Sequence, residues 1–175
     1  ANNSGIFIES KNDINIKGDL RVASDSYEKQ IKLTSSQGSV QTSSNAGVYG
    51  QSPEVKAAGK VNLQVQGEQG AIDVKADQDI QLKALGSTDN SNKARFVIKQ
   101  VHSAHGNVHI DAPDGIGAHS SDSGAHIKGD LVQLDAHSGA ISAKGQGSDY
   151  LRIDSDVAGN GGVAAWAQNK IHIKE

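Results

Sequence analysis

A short unit of the form Val/Ile/Leu-x-Val/Ile/Leu recurs from one end of the chain to the other. Clear copies are Ile14-Asn15-Ile16, Ile72-Asp73-Val74 and Val108-His109-Ile110. In most copies the middle residue is polar, so apolar and polar side chains alternate with a period of two. This period is typical of a β-strand that has one buried face and one face in water. The pattern therefore predicts an all-β chain built from many short strands.

The spacing of these units limits how they can be connected. Through the first half of the chain their centres recur roughly every eight residues. Segments rich in Gly, Asn, Asp and Ser separate them, and these residues favour turns. Eight residues hold one short strand and one tight turn but no crossover helix. The exception is 163–168, where the sequence predicts a single helical turn.

One copy of the unit cannot bury its own apolar face, so copies must stack as in a β-solenoid. In one arrangement three chains intertwine, and each contributes one strand to every layer. In the other, one chain coils on itself with roughly 20 to 25 residues per turn. The eight-residue spacing favours the intertwined triple-stranded (trimeric) β-helix, a needle on the order of 100 Å long. A single-chain β-solenoid is the alternative.

The alternation also predicts which side chains form the core and how the chain is divided. We expect β-helix segments at 1–83 and 96–175, separated by a loop or joint at 84–95, with a C-terminal cap in which Trp166 covers the last apolar layer. An uncovered end would expose strand edges. The predicted core residues are Ile14, Ile16, Val61, Leu63, Ile72, Val74, Ile80, Leu82, Val108, Ile110, Ile171 and Ile173.

Two pairs of near-identical segments support a repeated architecture. Ile16-Lys17-Gly18-Asp19-Leu20 recurs as Ile127-Lys128-Gly129-Asp130-Leu131. Gly70-Ala71-Ile72-Asp73-Val74-Lys75 resembles Gly139-Ala140-Ile141-Ser142-Ala143-Lys144. Each pair combines apolar alternation with turn residues.

Composition argues against several other classes of protein. The chain has two Phe, three Tyr and one Trp, too few aromatic residues to supply a conventional globular core. With no Cys it has neither disulfides nor thiolate metal sites. The net charge of −3 comes from interspersed charges, so no basic stripe predicts binding to nucleic acid. No segment approaches the ~20 apolar residues that span a bilayer.

Histidine is the one unusual concentration of chemically versatile side chains. Six of the seven lie between 102 and 137: His102, His105, His109, His119, His126 and His137. His109 and His172 occupy the middle of apolar-x-apolar units, so alternation points them outward. We interpret the cluster as solvated surface histidines, with no metal site and no cofactor.

No catalytic residue is predicted, and we expect the chain not to be an enzyme. Many Asp residues lie in or beside turns, where the side chain hydrogen-bonds to the local backbone. No Gly-x-Ser-x-Gly elbow is present. A polysaccharide lyase on a β-helix would need a basic cleft, whereas the only arginines are Arg21, Arg95 and Arg152.

The octapeptide-like repeats resemble the triple-stranded β-helix of contractile-tail spikes, namely the cell-puncturing needles of tailed phages and the VgrG spike proteins. The segments NDINIKGDL, GKVNLQV, GAIDVKADQDIQLKA and GNVHIDA carry the similarity. The resemblance implies a homotrimer mounted on a baseplate or hub protein, with a possible tip protein, that pierces a target outer membrane. It places the chain in a virion or secreted particle, at the tail tip.

Two functions follow as hypotheses. The first is a structural spike or needle of a phage tail or related contractile injection apparatus. The alternative is an exported single-chain β-solenoid adhesin or filament subunit, similar to filamentous-haemagglutinin repeats, that is extracellular or on the cell surface and binds host surfaces. Oligomeric state separates the two.

Overall fold

A computed structural model describes residues 5–22, 30–50, 52–66, 71–86, 96–119, 124–143, 150–157 and 159–175. In these ranges the chain forms eighteen β-strands and no helix, so it is all-β as the alternation predicts. The strands are β1 (Ile6–Ser10), β2 (Ile14–Ile16), β3 (Leu20–Arg21), β4 (Ile31–Ser35), β5 (Val40–Thr42), β6 (Val48–Tyr49), β7 (Glu54–Ala57), β8 (Val61–Gln66), β9 (Ile72–Ala76), β10 (Ile80–Ala84), β11 (Phe96–Ser103), β12 (Val108–Ala112), β13 (Ile116–Ala118), β14 (Ile127–Lys128), β15 (Leu131–Ala136), β16 (Leu151–Asp154), β17 (Gly162–Ala167) and β18 (Ile173–Lys174). No helix long and apolar enough to cross a membrane occurs in these ranges.

The strands form two parallel sheets, here called sheet A and sheet B. The order in sheet A is β1-β4-β7-β9-β11-β14-β16-β18, with β13 paired to β11. The order in sheet B is β2-β5-β8-β10-β12-β15-β17, with β6 paired to both β8 and β3. Each pair of strands is parallel. Consecutive strands along the chain alternate between the sheets for most of its length, so the chain winds from one sheet to the other and back.

Each turn of this winding has the length of a solenoid repeat, roughly 20 to 30 residues. The length varies along the stack: Val55 pairs with Val74 across a short coil, whereas Val132 pairs with Val163 across a long one. The described strand pairs join strands that lie one coil apart along the chain. The eight-residue spacing of the sequence arises because one coil contains two sheet strands and a third side. Eight strands in sheet A, at ~4.8 Å per layer, give a stack of about 34 Å.

The third side of the coil is less regular than the two sheets. There Phe96 pairs with Ile116, and single bridges continue from Ile116 to Ile141 and from Ile141 to Ile171. Phe96, Ile116 and Ile141 are buried, so this column closes the core between the sheets.

Alternation determines the core within each strand. In β8 and β10 the burial alternates residue by residue, with Leu63 and Leu82 fully buried. Ten of the twelve predicted core residues are buried, namely Ile14, Ile16, Val61, Leu63, Ile72, Val74, Ile80, Leu82, Val108 and Ile110. The other two differ: Ile171 is 42% exposed and Ile173 is half-buried. Both lie in the last described coil, where no further layer covers them.

The corner between sheet A and sheet B is closed by small residues and their hydrogen bonds. The buried hydroxyl of Ser35 accepts the N–H of Gly38 at 3.0 Å and donates to the carbonyl of Asn12 in the preceding coil at 2.8 Å. Ser103 repeats both contacts, with Gly106 and with the carbonyl of Gln78. At each of these corners, one serine hydroxyl therefore makes a hydrogen bond within the turn and another to the preceding coil.

Sheet pairing continues across the segment predicted as a joint. Val74 pairs with Val101, and Ile80 pairs with Val108, so strands from 71–86 and 96–112 stack directly in both sheets. Residues 87–95 of the predicted joint lie outside the described residues.

The helical turn predicted over 163–168 is wrong. The region forms β17, which pairs in parallel with β15 along its whole length. Val163, Ala165 and Ala167 face the core there, so the period of two prevails over the helix propensity of alanine.

Candidate binding groove on sheet A

The outer face of sheet A carries an excess of positive charge although the whole chain is negative. On β4, β7, β9, β11, β14 and β16 the outward positions hold six cationic side chains and three carboxylates. The cations are Lys32, Lys56, Lys75, Lys99, Lys128 and Arg152, and the carboxylates are Glu54, Asp73 and Asp154.

Four of the outward side chains form one column along the stack, here called the basic column: Lys56, Lys75, His102 and Lys128. Lys56 lies opposite Lys75, Lys75 opposite His102, and His102 opposite Lys128 in adjacent parallel strands. They point outward because the residue before each one is a buried Val or Ile of the core. Adjacent members are one strand apart, roughly 4.8 Å.

Carboxylates neutralise the ends of the basic column but not its middle. Glu54 lies 3.0 Å from the ammonium of Lys56 and also 3.5 Å from that of Lys32. Asp154 lies 3.0 Å from the ammonium of Lys128. Among the described residues, Lys75 has no carboxylate within ion-pair distance.

These contacts change the acidity of the groups involved. The hydrogen bond from Lys56 lowers the pKa of Glu54, and the hydrogen bond from Lys128 lowers the pKa of Asp154. The pKa of His102 is lowered mainly by burial, and Lys128 and Lys75 contribute to the same direction. His102 Nε2 donates to the carbonyl of Ala125 at 2.9 Å, which orients the ring. His102 is thus predominantly neutral near pH 7.

A groove of about 740 Å³ runs beside the basic column. Its floor consists of small residues at the ends of β4, β7, β9 and β11, namely Ser35, Ala57, Ala76 and Ser103. The groove crosses β4, β7, β9, β11, β14 and β16, and therefore extends along the stacking direction for roughly 24 Å. Asp77, Asp156 and Val157 also line it.

A β-bulge beside the basic column adds a further lysine to the face. The register between β9 and β11 shifts between Ile98 and Gln100, so Lys99 is the extra residue. The Lys99 ammonium lies 3.2 Å from Asp73 Oδ2, and the Gln100 side-chain amide donates to the same oxygen at 2.9 Å. Asp73 therefore contacts the bulge residues Lys99 and Gln100 and makes no ion pair with Lys75.

The outer face of sheet B is chemically different. A column of amides with one imidazole runs through its register: Asn15, Gln41, Asn62, Gln81, His109 and Gln133. The Gln41 amide donates to Asn15 in the preceding coil. Such amide ladders add side-chain hydrogen bonds to parallel stacking. This face lacks the charge excess of sheet A.

The clustered histidines are dispersed by the fold and do not form one site. His109 pairs with Asp135 at 3.0 Å and His137 with Asp111 at 2.6 Å, both on sheet B, while His102 lies in the groove on sheet A. His126 is not a solvated surface histidine as expected: it is buried, and its ring nitrogens face Arg152. Within the described ranges no three His, Asp or Glu side chains are grouped as metal ligands would be.

Trp166 lies on the outer face of β17 and is 52% exposed. Its ring centroid is 5.8 Å from that of His137 in the neighbouring coil. The inward positions of β17 are Val163, Ala165 and Ala167. Contrary to the expectation from the sequence, Trp166 therefore does not cover the last apolar layer. Alternation over 162–167 places it on the other side of the sheet.

Sequence reasoning did not identify the basic column, although a signal is present. The triplet apolar–cation–small occurs as Val55-Lys56-Ala57, Val74-Lys75-Ala76 and Ile127-Lys128-Gly129, with Val101-His102-Ser103 between the last two. Successive copies lie one coil apart along the chain and become neighbours only through its winding.

Comparison of the chain with known protein families, with curated proteins and with solved structures finds no match.

Proposed function

We propose that the chain is a structural β-solenoid of the exported, single-chain type, whose stacked faces present regular columns of side chains to a partner surface. The observation that supports this best is the pairing of each strand with strands one coil away in the same chain. A self-coiling chain needs no second copy to bury its apolar stripe. The adhesin or filament subunit is therefore favoured over the spike.

The physical basis of a structural role is the continuity of the two ladders. Each internal strand is hydrogen-bonded to the coil before it and to the coil after it, so the sheets run through the whole stack. The core columns behind them consist almost entirely of aliphatic residues such as Leu33, Val55 and Val74. A repeat stack of this kind is stabilised by nearest-neighbour interfaces between coils.

Light-scattering mass tests the oligomeric state directly. We expect a monomer of 18.2 kDa that is not retained as a higher band in unheated SDS. A mass of three times that value that survives unheated SDS would contradict the proposal. It would instead support the intertwined trimeric spike, which is mounted on a baseplate or hub and pierces a target outer membrane.

A cysteine pair tests the winding of the chain. Asn62 and Gln81 face outward at the same register position of β8 and β10, and the chain has no native cysteine. Directly paired strands bring Cα atoms within disulfide range. In Asn62→Cys/Gln81→Cys, we expect an intramolecular disulfide and a monomer band on a non-reducing gel. Gln81→Cys alone is the control, and covalent dimers or trimers specific to the double variant would indicate pairing between chains.

A further inference from the structure

We propose that the groove on sheet A binds a linear acidic polysaccharide that lies along the stacking direction, with Lys75 as the central contact to its carboxylate or sulfate groups. This assignment deepens the proposed function by naming the class of ligand that such a solenoid would bind. It rests on the proposed function only for its biological setting.

The shape of the groove matches an extended polymer. It crosses six stacked strands of sheet A, and Lys56, Lys75, His102 and Lys128 follow one another along it, one per layer. A chain of sugars laid along the groove would meet a lysine ammonium in three of these layers and the His102 imidazole in the fourth. A compact ligand would use only one or two of them.

The charges around Lys75 favour an anionic group at the middle of the groove. Glu54 is shared between Lys32 and Lys56, Asp154 is paired with Lys128, and Lys75 keeps an ammonium with no ion pair in the described structure. Stacking cations in adjacent strands is unfavourable by itself, since like charges repel across a ladder. An anionic group placed beside Lys75 relieves that repulsion.

The rest of the lining favours a glycan over nucleic acid. Among the described residues that line the groove there is no Phe, Tyr or Trp, so it offers no stacking platform for bases. Asp77 and Asp156 lie in the same lining, where they can accept hydrogen bonds from sugar hydroxyls.

Titration calorimetry of the full chain at low salt tests the assignment with three probes: polygalacturonate for carboxylates, dextran sulfate for sulfates, and dextran as the neutral control. We expect one of the two anionic polymers to bind, which identifies the group, and dextran not to bind. Lys75→Gln should weaken binding about threefold and Lys75→Glu about tenfold, as expected for one exposed ion pair lost or reversed.

The matched control is Lys83→Gln. Lys83 is an outward residue of β10, the next strand after β9, but it lies on sheet B. This substitution removes the same charge from the protein without touching the groove, so the affinity of the variant should equal that of the parent. Equal losses for Lys75→Gln and Lys83→Gln would show that only net charge matters and would overturn the assignment.

Two further outcomes would also overturn it. One is the absence of binding to both anionic polymers by a folded protein. The other is binding to vesicles of phosphatidylcholine with one-third phosphatidylserine but to neither polymer, which would indicate a lipid surface. The mass measurement is independent: a monomer that binds no polymer disproves only the ligand, and a trimer that binds polymer disproves only the single-chain solenoid.

Discussion

Asp79 accepts, through its side chain, the backbone N–H of Asn107, the residue at the same corner of the next coil, at 3.0 Å. Asp13 makes the same contact to Ser39 at 2.8 Å, and Asp19 makes a similar one to Gly47 at 3.0 Å. A turn at a solenoid corner leaves N–H groups outside the ladders, and these carboxylates satisfy them. The turn-forming aspartates therefore also connect one coil to the next.

Replacing Asp79 tests this role. Asp79→Ala removes the acceptor for Asn107 and the ion pair with Lys60, so we expect the free energy of unfolding in urea to fall by about 1 kcal/mol. Asp79→Asn keeps an oxygen acceptor and should lose less. Asp77→Ala, at an exposed position two residues away, is the control. An Asp79→Ala variant as stable as Asp77→Ala would show that the corner contact contributes nothing.

The lowered pKa of His102 predicts that the protein loses stability on mild acidification. Its pKa is lowered in the folded state mainly by burial and further by Lys128 and Lys75, whereas the hydrogen bond to the Ala125 carbonyl and the charge of Asp73 act in the opposite direction. The unfolded chain therefore binds the proton first, and stability falls as pH drops below about 6.5 toward the folded-state pKa.

Urea midpoints measured at intervals from pH 8 to 5 would show this decline, and His102→Gln should reduce it. His105→Gln provides a comparison at an exposed histidine of the adjoining corner. An identical pH profile for the parent and His102→Gln would assign the decline to other groups.

Gly106 and Gly18 predict opposite responses to alanine. A Cβ at Gly106 would lie 2.6 Å from the backbone N of Asp79 in the preceding coil, whereas a Cβ at Gly18 meets nothing within 4 Å. Gly106→Ala should therefore destabilise the protein by about 1–3 kcal/mol. Gly18→Ala should be neutral or stabilise it by up to about 1 kcal/mol. Thermal unfolding of the two variants followed by circular dichroism compares them, and similar melting temperatures would contradict the close packing of this corner.

Lys75 is predicted to be unfavourable for folding. It lies between Lys56 and His102 in the ladder with no ion-pair partner in the described structure. Lys75→Gln should leave the free energy of unfolding unchanged or raise it by about 0.2–1 kcal/mol. Lys128→Gln removes the ion pair with Asp154 and should lower it slightly. Chemical denaturation measures both, and a marked loss for Lys75→Gln would mean that this lysine has a structural role.

Trp166 predicts a clear spectroscopic result, because it is the only tryptophan in the chain. With 52% of its surface exposed, its fluorescence should be typical of an indole in water and readily quenched by iodide. Trp166→Ala should change the free energy of unfolding by less than about 1 kcal/mol, whereas Leu134→Ala in the adjacent core should lower it by about 2–5 kcal/mol. Blue-shifted, unquenched emission would restore the expected role of Trp166 as a cap.

Alternation was sufficient to predict the strands and most of the core. Leu63, Leu82 and Ile110 each have polar residues immediately before and after them in the sequence. They are buried because a strand of this pattern turns only its apolar face to the core. The same rule failed at Ile171, since burial there depends on a further layer rather than on the strand itself. The basic column could not be predicted, because the side chains that compose it are far apart in sequence.

The near-identical segments show where information from sequence ends. Ile16 lies in β2 of sheet B, whereas its counterpart Ile127 lies in β14 of sheet A. Ile72 lies in β9 of sheet A, and its counterpart Ile141 lies in the bridged column of the third side. By itself the sequence determined that these residues turn inward, because the period of two is local. Only the tertiary structure decided which strands meet and which outward side chains form a column, because the apolar units are interchangeable and the coil length varies.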